Sequence, residues 1–297
     1  MARYTYSAYG LTFGSDFPCP EIPQAAGAID VRLRFGEVPR GEGVTLLEDG
    51  ALVFNVEGVA DYMVVDGREV VIRPAPGGIE GDVRLWLFGS IFAALLHGRG
   101  ILPLHASGIE TDAGAVLFAG HSGIGKSTLA AAFGRRGYWI ISDDVSGIRW
   151  TGAGPAEVLP GIARLKLHAD TLDALGIDSR GLEPLRPGAD KFAYPAQHIQ
   201  TRRALPLHRV FVIDTGESRE LKVERLGGLA SVEAILQHTF RDWMLDALGA
   251  RARHLEMAAR VAASEAKFYH VQRPADGCPP EALMEALEGH VWVKDVA

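Results

Sequence analysis

The residues of this chain that could do chemistry begin with a nonapeptide near its centre. Positions 120–128 are Gly-His-Ser-Gly-Ile-Gly-Lys-Ser-Thr, which matches the pattern G-x-x-x-x-G-K-[ST] at every fixed position. In such loops the glycines let the backbone approach a phosphate chain, and exposed amides at the start of the next helix face the anion. Lys126 is therefore expected to reach the β- and γ-phosphates, and Ser127 to ligate Mg²⁺.

The segments on either side of this loop support the phosphate-binding interpretation. An apolar run at 115–119 predicts a buried strand before the loop, and a helix-forming stretch at 126–136 follows it. An ordinary glycine-rich turn would explain neither the lysine nor the hydroxyl residue. All nine residues are predicted to bind the nucleotide: Gly120, His121, Ser122, Gly123, Ile124, Gly125, Lys126, Ser127 and Thr128.

Two consecutive carboxylates, Asp143 and Asp144, follow the next predicted strand at 138–141. A βαβ crossover places two parallel strands side by side, with their carboxyl ends on one edge of the sheet. We therefore expect the phosphate loop and the two aspartates to meet at that edge. One carboxylate could hold Mg²⁺ while the other orients or deprotonates an attacking hydroxyl. The alternative is a solvated Asp-Asp turn that only closes a strand.

Composition narrows the class of protein. The 297-residue chain is long enough for two modules, and its net charge of −7 argues against a general surface for nucleic acid or anionic membranes. Its 2 cysteines are too few for a disulfide framework or a thiolate metal site. No apolar run reaches the roughly 20 residues that a bilayer requires, and no signal-peptide core opens the chain. We expect a cytoplasmic enzyme without nucleic-acid or membrane partners.

The pattern of elements predicts an α/β protein in two modules. Residues 1–83 carry short alternating apolar runs separated by Gly- and Pro-bearing turns, which predict a β-rich N-terminal module with a hairpin at Asp66-Gly67. Residues 84–297 are predicted to form the nucleotide-binding domain. That domain opens with an apolar helix at 84–98 and includes a C-terminal helical segment, in which Trp243 is expected to be buried.

Four segments occur in the order found in bacterial HPr kinase/phosphorylase-like proteins. They are Leu104-His105-Ala106-Ser107, the loop at 120–128, Ile141-Ser142-Asp143-Asp144 and Pro160-Gly161-Ile162-Ala163-Arg164-Leu165. The chain most closely resembles the HPr-kinase homologues of lasso-peptide biosynthesis, over nearly its full length. The resemblance implies a P-loop core of the HPr kinase/phosphoenolpyruvate carboxykinase-like type, with ATP and Mg²⁺ as cofactors. It also implies phosphorylation of a serine hydroxyl in a precursor peptide, at the C-terminal residue.

The resemblance assigns roles where the motifs match. His105 corresponds to a histidine that contacts the catalytic aspartate, which would make Asp143 the base and leave Mg²⁺ to Asp144 together with Ser127. A buried histidine satisfied by a backbone carbonyl is the alternative for His105. The predicted catalytic set is Asp143, His105, Lys126 and Arg164.

Arg164 and Lys191 are candidates for contacting phosphate oxygens or the substrate, with plain surface solvation as the alternative for each. The stretch that HPr kinase/phosphorylases use for phosphorolysis is not recognisable, so the reverse reaction is in doubt. HPr kinases assemble as hexamers, which leaves a homo-oligomer open for this chain.

The resulting hypothesis is an ATP-dependent kinase that transfers the γ-phosphoryl group to a peptide serine. Three alternatives remain at this point: a P-loop ATPase switch or nucleotide-binding regulator that transfers nothing, a small-molecule kinase, and a degenerate scaffold. A switch needs a residue that holds a water in line, often Gln or Glu, and no Gln lies between the loop and residue 196. A degenerate scaffold is disfavoured because Lys126, Ser127 and both aspartates are intact.

Overall fold

A computed structural model describes residues 2–152, 154–185, 190–196 and 200–291 and contains mixed α/β structure. The chain divides into two compact units. The first comprises the residues up to Ile101 together with Arg241–His254, and the second comprises Leu102–Phe240 and the residues from Leu255 onward. Residues 84–101, predicted to belong to the nucleotide-binding domain, lie in the first unit. The division of the protein into domains at residue 83 stays a prediction.

The described part of the chain contains the following strands and helices. The strands are β1 (Tyr4–Ala8), β2 (Leu11–Ser15), β3 (Val31–Phe35), β4 (Gly43–Leu46), β5 (Leu52–Val56), β6 (Ala60–Val65), β7 (Glu69–Pro74), β8 (Leu102–Leu104), β9 (Ala106–Thr111), β10 (Gly114–Gly120), β11 (Trp139–Ser142), β12 (Ser146–Arg149), β13 (Glu157–Leu159), β14 (Arg164–His168), β15 (Glu183–Pro184), β16 (Lys191–Pro195), β17 (Leu205–Thr215), β18 (Lys222–Leu226) and β19 (Lys267–Arg273). The helices are α1 (Glu80–Trp86), α2 (Phe92–Gly98), α3 (Lys126–Arg135), α4 (Ala169–Ala174), α5 (Leu229–Gln237), α6 (Met244–Ala247), α7 (Arg251–Ala262) and α8 (Pro280–Val291), and a π-helical turn at Leu87–Ile91 joins α1 to α2.

The first unit is built on a seven-stranded sheet in the order β1-β2-β3-β7-β6-β5-β4. This confirms the predicted β-rich module. Asp66 and Gly67 both have positive φ, 51° and 60°, in the turn between β6 and β7, which is the left-handed conformation that an Asp-Gly hairpin favours. The predicted helix at 84–98 is confirmed as part of the helical run from α1 to α2, and Phe92 of α2 stacks on Phe13 of β2 with ring centroids 4.6 Å apart.

The second unit contains a nine-stranded sheet in which β11, β9, β10, β17, β13, β12 and β8 are neighbours in that order, with β19 beside β17 and β18 beside β19. Strand β10 runs parallel to β17, and β17 runs parallel to β19. Because β10 is covered on both faces, all of its residues from Gly114 to Gly120 are buried. The predicted strand, phosphate loop and helix at 115–136 are confirmed, and with them the α/β fold class.

One predicted neighbour in this sheet is wrong. The strand at 138–141 was expected beside the phosphate-loop strand, but β9 lies between β11 and β10. The tight connection between Thr111 and Gly114 brings β9 against β10, and β17 occupies the other side. Both pairings of β9 are antiparallel, so β11 still runs in the same direction as β10. The two strands therefore end on one edge, where β9 begins.

The C-terminal helical segment also differs from the prediction. A single helical face was expected around Trp243, but α5 ends at Gln237 and the short helix α6 begins at Met244. Trp243 is 45% exposed, so its predicted burial is wrong. The positive φ of 57° at Arg241 lies in the interruption between α5 and α6, where one continuous helix was expected. No helix among the described residues has the length and apolarity needed to cross a bilayer.

Candidate active site

The phosphate-binding loop connects the end of β10 to the first turn of α3, and two of its glycines are required by geometry. A Cβ on Gly120, which has φ +148°, would lie 2.5 Å from the backbone oxygen of Ile213 on β17. Gly125 takes the left-handed conformation, with φ 97°, immediately before α3. Both positions are strained for any residue with a side chain, because L-residues rarely adopt these angles. The loop therefore keeps its backbone amides at the helix start available to an anion.

Lys126 is buried at the start of α3, with 6% of its surface exposed. Its ammonium donates to the backbone oxygens of Gly120 at 2.8 Å and His121 at 2.9 Å, and lies 3.0 Å from Nε2 of His105. All three contacts are with neutral acceptors. Burial is the main reason that the pKa of Lys126 falls to about 8, although Asp144 and Asp143 pull it upward.

Asp143, at the end of β11, is buried and accepts three hydrogen bonds. Its Oδ1 accepts from the hydroxyls of Ser107 at 2.6 Å and Ser127 at 2.8 Å, and its Oδ2 accepts from the backbone N–H of Lys166 at 3.0 Å. Ser107 comes from β9, Ser127 from the phosphate loop and Lys166 from β14. One carboxylate thus ties three elements to the loop, which excludes the solvated Asp-Asp turn.

Asp144 lies beside Asp143 but faces other partners. Its φ of 68° is left-handed, which turns its side chain away from the direction that a continuing strand would give it. Its Oδ2 accepts from the Lys166 ammonium at 2.6 Å, and its side chain is 28% exposed. Burial raises the pKa of this carboxyl, but Lys166, His105 and Lys126 together hold it below its ordinary value. Asp144 is therefore ionised near neutral pH.

His105 precedes β9 and stands between Lys126 and Asp144. Because the Lys126 ammonium donates to Nε2, the ring carries its proton on Nδ1, which donates to the backbone oxygen of Asp144 at 2.8 Å. The same nitrogen lies 3.4 Å from Oδ1 of Asp144. Burial and the charge of Lys126 lower the pKa of His105, so the ring is neutral. It holds its partners by hydrogen bonds rather than by charge.

The predicted residues thus meet, but two of the expected pairings differ. His105 was expected to contact Asp143 and contacts Asp144 instead. Ser127 was expected to share Mg²⁺ with Asp144 and donates its hydrogen bond to Asp143 instead. The two adjacent carboxylates face different partners: Asp143 accepts from Ser127, whereas Asp144, which has a left-handed φ, faces His105 and Lys166. The catalytic and metal-binding roles themselves stay predictions.

The donor set contains oxygen atoms suited to Mg²⁺ carried by a nucleotide. Among the described residues no group of three or more His, Cys, Asp or Glu side chains could hold a metal ion. Mg²⁺ in nucleotide-dependent enzymes is bound through one or two carboxylates and the substrate phosphates, with water completing the octahedron. Ser127 and Asp143, joined by a hydrogen bond, carry oxygen atoms of the kind that could hold such an ion.

Arg164 and Lys191 lie on a three-stranded sheet in the order β14-β16-β15. The Arg164 guanidinium is 3.4 Å from a carboxylate oxygen of Glu183. Lys191, on β16, lies opposite His168 of β14, and Arg164 lies opposite Pro195. Their predicted contacts with phosphate or substrate stay predictions.

Sequence reasoning missed three residues of this cluster. Ser107 and Lys166 contact the aspartates directly, and the backbone oxygen of His238 accepts from the N–H of His105 at 2.7 Å. Burial, followed by the charge of His121 in the loop, lowers the pKa of His238 to about 4. Alternation along β9 could have revealed Ser107, which lies two residues after His105 on the same side of the strand. The same alternation along β14 places Lys166 on the face of Arg164, whereas no local signal points to His238.

Comparison with known proteins adds partial likenesses. No protein-family model matches the chain. A curated relative, the phosphoenolpyruvate carboxykinase (ATP) of Deinococcus radiodurans, is 31% identical over 159 residues, which cover 46% of this chain. The chain spans only 33% of the length of that relative. Among solved structures, it is similar to the Hpr(Ser) kinase/phosphatase from Coxiella burnetii over 64% of this chain and 90% of that one, with a TM-score of 0.31 and 13% identity.

Proposed function

We propose that this protein is an ATP-dependent kinase that phosphorylates a serine hydroxyl of a peptide. We further propose that the peptide is a lasso-peptide precursor and that its C-terminal residue is the acceptor. One observation carries the proposal: the Ser127 hydroxyl of the phosphate loop donates to Asp143 at 2.8 Å, which joins the nucleotide cradle to the aspartate pair. The similarity to a carboxykinase that is described as using ATP supports the choice of nucleotide.

The proposed division of labour follows the contacts. The loop amides and Lys126 hold the β- and γ-phosphates of ATP, and the lysine exchanges its backbone acceptors for phosphate oxygens. Ser127 and Asp143 would hold the Mg²⁺ that accompanies the nucleotide, which neutralises charge on the phosphates. Most of the rate would come from this positioning and charge neutralisation, because phosphoryl transfer asks little covalent chemistry of the protein.

The geometry favours Asp144 as the residue that receives the proton of the acceptor. Asp143 is 5% exposed and already accepts three hydrogen bonds, whereas Asp144 is more accessible and ionised. His105 contacts Asp144, and the resemblance to HPr kinases gives that histidine to the catalytic aspartate. In the proposed step the serine oxygen forms a bond to the γ-phosphorus as the bond to ADP breaks, and the hydroxyl proton passes to Asp144.

A direct assay separates this proposal from its alternatives. The protein is incubated with ATP, Mg²⁺ and synthetic peptides that end in serine, and the products are weighed by mass spectrometry. The proposal expects a mass gain of one phosphate on the peptide, which the Lys126→Ala variant does not produce. Free phosphate with unmodified peptide would identify a nucleotide switch instead. Transfer to sugars or nucleosides but to no peptide would identify a small-molecule kinase.

A further inference from the structure

The three-stranded sheet beside the aspartates has two chemically different faces. In antiparallel pairs, opposite residues share a face, and so do residues two apart on one strand. Lys166 lies opposite Ala193, and His168 lies opposite Lys191. Four side chains therefore share one face, here called the basic face: Arg164, Lys166, His168 and Lys191. The intervening leucines of β14 point the other way into the core.

The basic face begins at the proposed catalytic carboxylate. The ammonium of Lys166 contacts Asp144 at 2.6 Å. Lys191 is the diagonal neighbour of Lys166, and such neighbours are about 7–8 Å apart. Its positive charge is one of the causes that lower the pKa of Lys126. A single amino-acid residue could therefore span the separation between an anion bound by Lys191 and a hydroxyl at Asp144.

The charges on this face are unequally compensated. Lys166 is paired with Asp144, and Arg164 lies 3.4 Å from Glu183, whose side chain is 83% exposed. Nδ1 of His168 lies 3.0 Å from the backbone oxygen of Asp190. Within the described part of the chain, the side chain of Lys191 makes no ion pair or hydrogen bond, whereas its backbone oxygen accepts from the N–H of Leu185 at 2.8 Å. A cation of this kind beside an active site complements a carboxylate.

We propose that Lys191, with its cross-strand neighbour His168, forms a subsite that binds a carboxylate of the acceptor next to the serine that is phosphorylated. The inference rests on the proposed peptide-kinase function and adds a rule for choosing the acceptor. The carboxylate has two sources, the C-terminus of the peptide when serine is its last residue, or an acidic side chain that follows an internal serine. Both present a carboxylate within one residue of the reacting hydroxyl.

Binding of four labelled peptides tests the subsite without requiring phosphoryl transfer. All share one background: serine last with a free carboxylate, serine last with a carboxamide, internal serine followed by Asp, and internal serine followed by Asn, the last two with amidated ends. Affinities are measured by fluorescence anisotropy in the presence of Mg²⁺ and a non-hydrolysable ATP analogue. Carboxylate peptides are expected to bind roughly tenfold more tightly than their neutral partners, as for one charge-assisted hydrogen bond. Whichever pair shows the difference identifies the source.

Variants assign this difference to a residue. Lys191→Met should reduce it to below about twofold, whereas Lys191→Arg should retain most of it, since the charge remains. The matched control is Lys222→Met, which removes an exposed lysine of β18 and should leave the difference unchanged. Equal binding of charged and neutral peptides by the native protein would overturn the subsite. So would a difference that survives in Lys191→Met, or a Lys191→Met defect confined to the ATP analogue.

A parallel mass assay keeps the two proposals apart. Phosphate transfer to charged and neutral peptides at equal efficiency would leave the kinase proposal standing and remove the subsite. Selective binding of the carboxylate peptides without any transfer would leave the subsite standing and remove the kinase proposal. Selective binding and selective transfer, both lost in Lys191→Met and kept in Lys222→Met, would support both.

Discussion

Each unit holds a cation largely away from solvent, and the two units satisfy it in opposite ways. In the first unit, Nε of Arg84 donates to Glu21 at 2.8 Å, and Glu80 contributes a second carboxylate one helical turn away. In the second unit, Lys126 touches two backbone oxygens and a neutral histidine, with no carboxylate within hydrogen-bonding distance among the described residues. The first cation is neutralised by the protein itself. The charge of the second remains available to an anionic ligand.

The presence or absence of a carboxylate partner distinguishes a structural ion pair from a cation that can bind an anion. Burying a charge is costly unless it is compensated, so a cation held only by neutral dipoles is less stable than a paired one. The lowered pKa of Lys126 is the sign of that cost. An anion that reaches the lysine recovers the lost stabilisation, and the triphosphate is such an anion. Arg84 is already paired with carboxylates, so an added anion would not stabilise it in this way.

The largest effect that sharpens the contrast is expected from Lys126→Ala. Removing the ammonium deletes a charge-assisted contact to the phosphates, and kcat/KM for transfer should fall by on the order of 10⁴. Nucleotide affinity, measured by calorimetry, should fall as well, while the unfolding midpoint changes little or rises. Normal nucleotide binding by this variant would show that Lys126 is an ordinary buried lysine.

The next effect concerns the aspartate pair. Asp144→Asn should lower the rate of transfer by roughly 10²–10⁴, the range for a positioned base, with ATP affinity retained. Asp143→Asn should instead weaken binding of ATP in Mg²⁺ relative to binding in EDTA, because Asp143 is joined to Ser127. Stopped-flow transfer rates and calorimetry with and without Mg²⁺ measure the two effects. The reverse pattern would restore the original assignment, with Asp143 as the base.

A third test acts on the closed pair of the first unit. Arg84→Met leaves Glu21, which is 5% exposed, without its guanidinium and should lower the free energy of unfolding by about 3 kcal/mol. The control is Arg34→Met, which removes a more exposed partner of Glu69 and should cost about 1 kcal/mol or less. Urea unfolding followed by circular dichroism measures both. Equal effects would mean that burial does not separate the two pairs.

The comparison also shows what the sequence could supply. The phosphate loop is a local pattern, and its strand, turn and helix follow from residues that are adjacent in the chain. Strand order is not local: nothing in the segment 138–144 indicates that β9 separates it from β10. The hairpin from Thr111 to Gly114 determines that arrangement, because it pairs β9 with β10.

The pairing inside the site was hidden for a similar reason. The direction of Asp144 depends on its left-handed φ, a conformation that is uncommon for residues other than glycine and is accompanied here by tertiary contacts. Lys166 supplies one such contact from a different sheet, 22 residues away. Residue types therefore predicted the members of the cluster, and only the fold could assign their partners.

The smallest expected effect is a pH dependence of the affinity for ATP. It arises from Lys126 and has no counterpart at Arg84 of the first unit. The pKa of Lys126 is about 8 in the free protein, so its ammonium is intact below pH 8 and is lost above it. Binding of the triphosphate favours the charged form, and above pH 8 it must therefore be coupled to uptake of a proton. Affinity for ATP should weaken by about tenfold for each pH unit above 8, until the pKa of the bound lysine is reached. Lys126→Arg, which stays charged throughout, should give a flat profile between pH 7.5 and 9.5 in the same calorimetric titration. A native profile that is equally flat would mean that neutral acceptors hold the lysine without perturbing it, and the contrast with Arg84 would lose its physical basis.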